Sequence, residues 1–315
     1  MSLFFGAKAL GSVIAAWQST SLMEFYGNRG VFLFSSVLPL VIMIYTSFIF
    51  EEYHDPTVAS RYTMNWGSLK SEVKRVWLTL SHKEVKHFLL VVFLLTMTPS
   101  LSSTFNFFYT VELKFNLITM SQISLVASIA YLLSILAINF VFREIEFKKF
   151  YITTGVFINL LNLASLIIVL KKHETLSVSA TFFCYLLNSM LVFTHELNFL
   201  PLLGTCCRLC PEDLEGTTYG LFTSMFNFGY YLATLWASAL LITLGVSTKN
   251  YSNLWMVVVV QVVYGTVIIA WLGFLKFPNP DKVMEDEHYK RPMEALVQHG
   301  HSNDSDEEEI PLTKN

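Results

Sequence analysis

The residues best placed to do chemistry are a few polar side chains stranded in long apolar runs. In "LNSMLVFTHELNFLPLLG" His195 and Glu196 stand side by side, about nine residues from the end of an apolar stretch at helical rise. Asn188 lies two helical turns before His195, on the same face of a helix. A charge near the centre of a bilayer costs about 2.5–3.5 kcal/mol, so such a group faces a bundle interior and is commonly functional. A His–Glu pair there can relay protons; it can equally hydrogen-bond a neighbouring helix, and the spacing leaves both readings open. Asn227 occupies a similar mid-run position, either as interhelical glue or as a solute contact. Gly216, Gly220 and Ser224 precede it at four-residue spacing, which suits close approach of two helix backbones. Lys8 sits near the start of the first apolar run. Its stem can snorkel to a membrane surface, or its ammonium can partner an anionic solute. Asn106, Asn139, Asn159, Asn162 and Gln261 read as packing glue.

No soluble-enzyme constellation is present. "CCRLC" places Cys207 and Cys210 at metal-ligand spacing, but a zinc site needs about four ligands and no second pair accompanies it. Acylation of Cys206 or Cys207 beside a membrane is an alternative to inert thiols. There is no glycine-rich phosphate loop and no basic surface for nucleic acid. The expectation is a chain that is not an enzyme and carries no metal or cofactor.

The elements that must hold these residues are membrane helices. Apolar residues make up 53% of the 315-residue chain and charged residues 14%, against about 25% charged in a soluble domain. Stretches of about 20 apolar residues predict eight spans, at 2–26, 29–50, 87–110, 117–142, 150–170, 176–204, 213–245 and 251–275. Basic residues crowd into alternate connections: Arg61, Lys70, Lys74, Arg75, Lys83, Lys86, Arg143, Lys148, Lys149 and Arg208, with more in the C-terminal tail. The other connections hold Arg29, Lys114, Lys171, Lys172 and Lys249. The positive-inside rule then puts both termini in the cytoplasm.

Between 51 and 86, Trp66, Leu69, Val73, Val76, Trp77 and Leu80 recur at helical spacing opposite Lys70, Lys74 and Lys83. That pattern predicts an amphipathic cytoplasmic linker, lying on the inner membrane surface or packed on the bundle's own ends. It separates two spans within 1–50 from six within 87–276. The stretch 277–315 is polar, ends in an acidic run and reads as a disordered tail, with Ser302 and Ser305 set among acidic residues.

In "RLCPEDLEGTTYGLFTSMFNFGYY" a dense polar patch abuts an apolar run. Pro211 suits a first helical position. Glu212, Asp213 and Glu215 suit the positive end of a helix dipole, so a span starts sharply at a membrane face. This junction resembles the signature of the folate–biopterin transporter family, within the major facilitator superfamily. Pro201, Leu209, Cys210, Pro211, Glu215, Gly216, Thr217, Asn227 and Gly229 carry the resemblance. "SLFFGAKALGSVIAAW" and "GNRGVFLFSSVLPL" are similar to that family's fifth and sixth spans, and "TPSLSSTFNFFYTVELKF" to its seventh.

The resemblance implies an all-α, multi-pass, major-facilitator-like bundle lacking the first four spans. It also implies a carrier of a small organic solute of the folate or pterin class. Such carriers bind solute between two halves and rock one against the other. Asn188, His195, Asn227 and Lys8 would then meet solute, and Glu196 or His195 would carry a coupled proton. Pro201, Cys210, Pro211, Glu215, Gly216, Thr217 and Gly220 would form a packing hinge or gate. A chain short of four spans is expected to be a fragment or mis-started product, to pair with a second chain, or to be a membrane subunit that no longer transports.

Overall fold

A computed structural model describes residues 2–49, 66–142, 147–210 and 215–274. Its regular secondary structure among those residues is helical, with one isolated bridge between Ser247 and Asn250. The helices are α1 (Ser2–Thr46), α2 (Trp66–Ser81), α3 (Lys83–Thr96), α4 (Ser102–Val111), α5 (Leu117–Phe140) and α6 (Phe147–Ala164). Two short turns, α7 (Leu166–Val169) and α8 (Lys172–Thr175), lead to α9 (Ala180–Arg208), α10 (Glu215–Thr243) and α11 (Leu254–Phe274).

Among the described residues, six stretches are long and apolar enough to cross a membrane: Arg29–Thr46, Leu117–Phe140, Lys148–Val169, Ala180–Arg208, Glu215–Thr243 and Leu254–Phe274. The expectation of eight differs at two places. Residues 2–26 are helical, but Ser12, Gln18, Ser19, Ser21 and Glu24 dilute that stretch. Residues 87–110 are not one helix. α3 stops at Thr96 and α4 starts at Ser102, because Pro99 has no N–H and bars its predecessor from helical backbone. The break is tolerable in lipid because a neighbour satisfies it: the Ser100 N–H donates to the Ala233 carbonyl of α10 at 3.3 Å.

Local chemistry sets the other boundaries. α1 is two helices joined at Gly27, whose φ of 64° and ψ of −170° suit a residue without Cβ. Asn116 caps α5 by accepting from the Thr119 N–H at 2.7 Å. α10 ends in a paired motif, with Val246 N–H donating to the Leu241 carbonyl and Gly245 N–H to that of Ile242. Gly245 takes the left-handed conformation this motif requires, at φ 67°.

The chain divides into two compact units. The larger comprises Met1–Leu38, Val91–Gly204 and Met225–Leu275. Within it, Leu101, Phe108, Tyr109, Ile123, Ile168, Cys184, Ala237, Leu254, Val257 and Val258 form one buried cluster. α6 and α11 are its closest helix pair and run antiparallel: Lys148 reaches the Gly273 carbonyl at 2.8 Å, and Asn159 reaches the Thr266 hydroxyl at 3.3 Å. The smaller unit comprises Pro39–Leu90, Thr205–Ser224 and Lys276–Asn315. There α2 turns Val73 and Trp77 outward and buries Arg75 and Thr79. An apolar stripe turned outward is favourable where the surroundings are lipid rather than water.

The same reasoning covers the long apolar helices. No residue of Arg29–Thr46 is buried, and Phe140 and Phe274 are almost fully exposed. Exposed apolar surface on this scale is stable only in hydrocarbon. The protein is an all-α, multi-pass integral membrane bundle. The expected tail (277–315), the Pro211 helix start with Glu212 and Asp213, and the first part of the expected linker lie outside the described residues.

Candidate functional site

The functional candidates of the larger unit separate into two groups around α9. Neighbouring helical residues point about 100° apart, so His195 and Glu196 cannot share one environment. His195 is exposed and stacks on Phe199, centroid to centroid 6.2 Å at 28°. Phe199 meets the buried Phe226 of α10 edge-on at 6.1 Å, one residue before the exposed Asn227. Asn188 lies two turns toward the other end of α9. Its amide donates to the Cys184 carbonyl at 3.0 Å and to the Tyr109 hydroxyl of α4 at 3.4 Å. Its donors are thus engaged in packing.

Glu196 faces a different set of partners. It lies within electrostatic reach of Lys8 and of Tyr131. The Lys8 ammonium stands 6.0 Å from the Phe5 ring centroid and 6.0 Å from that of Tyr131, at the limit for cation–π attraction. Lys8 is exposed and Glu196 half-buried, whereas Phe5, Ala9 and Tyr131 are buried. Among the described residues no direct salt bridge joins Lys8 to Glu196, whereas Lys171 pairs directly with Glu112 at 2.9 Å. Lys8 thus stands against two buried aromatic rings, Phe5 and Tyr131. Tyr131 and Glu196 both fall near the middle of their helices. The Lys8 ammonium lies beside the Tyr131 ring of α5.

Sequence reasoning singled out Lys8 and Glu196 separately but not their proximity, and it missed Tyr131. The signal for Tyr131 was a lone hydroxyl in the apolar run "SIAYLLSIL", one of many aromatic residues in the chain. Asn198 was missed as well. It is buried, with its side-chain carbonyl unpartnered, and its amide nitrogen lies 3.8 Å from where a Cβ on Gly155 of α6 would stand.

The smaller unit holds the junction residues. Cys206, Leu209, Cys210, Thr218 and Phe222 are buried there, while Cys207, Gly216, Thr217 and Gly220 are exposed. Glu215 is the first residue of α10, where a carboxylate favours the helix dipole. Pro201, by contrast, lies inside α9, in the larger unit, and the helix runs through it to Arg208. A Cβ on Gly216 or Gly220 would meet nothing within 4 Å among the described residues. A close helix contact on α10 lies at Gly229, where a Cβ would overlap the Thr96 hydroxyl and stand 3.3 Å from the Phe93 carbonyl.

Among the described residues no group of His, Cys, Asp and Glu is arranged to hold a metal ion. No solved structure matches the chain. The chain is similar to "Folate transporter 1" of Plasmodium falciparum (isolate 3D7), 26% identical over 288 residues, covering 91% of this chain and 55% of that protein. It is similar to "Folate-biopterin transporter" of Synechocystis sp. at 27% identity over 299 residues, covering 94% of this chain and 59% of that one. A third relative, "Probable folate-biopterin transporter 2" of Arabidopsis thaliana, is 22% identical over 291 residues, 89% of this chain and 58% of its own length. The chain thus spans between half and two thirds of the length of these relatives. The sequence pattern of the BT1 family matches residues 1–294, and with the membrane bundle that carries it, the chain belongs to that family.

Proposed function

We propose that the protein is a membrane carrier, or the greater part of one, for small organic solutes of the folate and pterin class. The observation that carries this reading is the family match over residues 1–294, whose relatives are named folate and folate–biopterin transporters. The bundle supplies what such a carrier needs: polar and charged side chains held inside apolar helices, where each is costly unless it has a task. On this reading Asn188, His195 and Asn227 contact the heterocycle, stacking being available at His195 and Phe199. Lys8 meets an anionic group, and Glu196 or His195 carries a coupled proton. Pro201, Cys210, Pro211, Glu215, Gly216, Thr217 and Gly220 belong to a moving junction, in which the open space beside Gly216 and Gly220 receives a neighbouring helix in another conformational state. The basic-rich connections and both termini are cytoplasmic.

The test is uptake of radiolabelled folate and biopterin into proteoliposomes containing the purified, correctly inserted chain. Saturable uptake of either solute supports the reading. Absence of both uptake and binding overturns it.

A further inference from the structure

We propose that the outward face of α2 docks on anionic phospholipid headgroups, with Val73 and Trp77 seated at the headgroup boundary and Lys70 and Lys74 on lipid phosphates. This interaction surface goes beyond the carrier reading and holds whichever solute is carried.

The sequence pattern sets the lysines of this stretch opposite its apolar residues; the structure sets two of them together with the outward apolar pair. Lys70, Val73, Lys74, Trp77 and Ser81 are all exposed, Val73 at 61% and Trp77 at 69%. At about 100° per residue they fall within an arc of about 100°. Arg75 and Thr79 lie on the reverse face and are buried. α2 thus presents a single face on which ammonium groups and large apolar groups are mixed.

That mixture selects the occupant. Water suits the two ammonium groups but not an indole and a valine held outward. Hydrocarbon suits the apolar pair but strands the ammoniums. The 16 residues of α2 also rise only about 24 Å against a hydrocarbon core of about 30 Å, so the helix does not span. The headgroup boundary suits both kinds of group: tryptophan prefers that level, and lysine stems reach from it to phosphate. A zwitterionic surface offers the apolar contacts without net attraction, so Lys70 and Lys74 make the face selective for anionic lipid.

The chain also brings α2 to that level. Only His82 separates α2 from α3. The backbone bonds run on through it, the His82 N–H donating to the Leu78 carbonyl and the Lys86 N–H to that of His82. α3 opens with the exposed Lys83 and Lys86 and is apolar over Val85–Thr96 otherwise. The cations therefore gather where an apolar helix begins. The positive-inside orientation puts that end at the cytoplasmic leaflet, where anionic lipids collect.

The experiment is hydrogen–deuterium exchange of the full chain in nanodiscs of phosphatidylcholine alone and of phosphatidylcholine mixed with phosphatidylglycerol. Residues 66–81 exchange about fivefold or more slowly in the mixed discs, the gain expected for lysines at an anionic surface. Residues 254–274 exchange alike in both. High salt removes the difference at 66–81, and so does Lys70→Gln/Lys74→Gln. Trp77→Gln speeds exchange of 66–81 in both lipids. Residues 254–274 stay as in the wild type in each variant, which separates a lost contact from a fold defect. Equal exchange of 66–81 in the two lipids overturns the proposal, and so does a difference that survives Lys70→Gln/Lys74→Gln. The acidic stretch 304–309 is the rival occupant by charge. If deleting residues 302–315 speeds exchange at 66–81 by the same factor in both lipids, that stretch covers the face and the lipid assignment falls. The readout is independent of uptake, so its failure leaves the carrier reading standing.

Discussion

Asn159 of α6 lies across Gly265 of α11, its side-chain carbonyl oxygen 2.5 Å from where a Cβ would stand. The reciprocal contact is made four residues earlier on α6, where Ile269 of α11 fills the space beside Gly155 at 3.1 Å. Each helix thus offers a glycine to the other's side chain, and this lets the antiparallel pair close. Gly265→Ala forces the Asn159 amide off its position and its bond to Thr266. Overpacking of this kind costs about 1–3 kcal/mol, more than the roughly 1 kcal/mol that alanine returns in helix propensity. Gly155→Ala presses on the flexible end of Ile269, with the Asn198 amide at ordinary contact distance, and changes stability by less than about 1 kcal/mol. Thermal unfolding in detergent ranks the two, and equal effects would refute the account.

The glycines of α10 separate in the same way. A methyl group on Gly229 overlaps the Thr96 hydroxyl beside the break between α3 and α4, whereas one on Gly220 touches nothing within 4 Å among the described residues. Gly229→Ala is therefore expected to destabilise by about 1–3 kcal/mol, and Thr96→Ala to recover part of that loss in the double variant. Gly220→Ala is neutral or stabilising by about 0.5–1 kcal/mol in the resting conformation. If Gly220→Ala abolishes uptake without lowering the unfolding temperature, the open space is used in another state, as the gate reading requires.

How much the sequence made legible depends on how far apart the determinants lie. Helix type and most span positions are written in local hydropathy, and the turn at Gly27 and the Asn116 cap in local residue chemistry. The interruption at Pro99 was visible as a proline but not as a break, since a membrane proline can also sit inside a helix, as Pro201 does. Which small residue takes a neighbouring helix is a matter of partner, and spacing alone favoured Gly216 and Gly220 over Gly229. Lys8, Tyr131 and Glu196 are drawn from three helices remote in the chain. Local sequence flags each polar residue yet says nothing of their meeting.

Lys171 and Glu112 join two connections of the larger unit at 2.9 Å, with side chains 53% and 36% exposed. The hydrogen bond and charge of Glu112 hold the Lys171 pKa above its ordinary value. A raised folded-state pKa gives stability that is complete below the unfolded value, about 10.4, and is lost as pH rises through the folded one. Solvent screening at this exposure limits the pair to about 0–1 kcal/mol. Lys171→Met should therefore lower stability only slightly, with no pH dependence across the neutral range and a smaller effect in high salt. A loss above about 2 kcal/mol would mean that the pair braces the connections far more than its exposure allows.

The three clustered cysteines should differ sharply in reactivity, although they stand within one short stretch. Cys207 is exposed, while Cys206 is fully buried and Cys210 nearly so. The Cys210 thiol also donates to the Cys206 carbonyl at 3.2 Å. Burial, reinforced by Cys207 and Glu215, pushes the Cys210 pKa up to about 12, so the nucleophilic thiolate is scarce at any pH the protein experiences. Maleimide labelling in detergent with peptide mapping should find Cys207 modified first and Cys210 only on unfolding. Cys207→Ser should remove the fast phase, and Cys210→Ser should leave it intact. Fast modification of Cys210 in the folded protein would show that the junction opens, and would contradict the packing of Cys206, Leu209 and Phe222 described for the smaller unit.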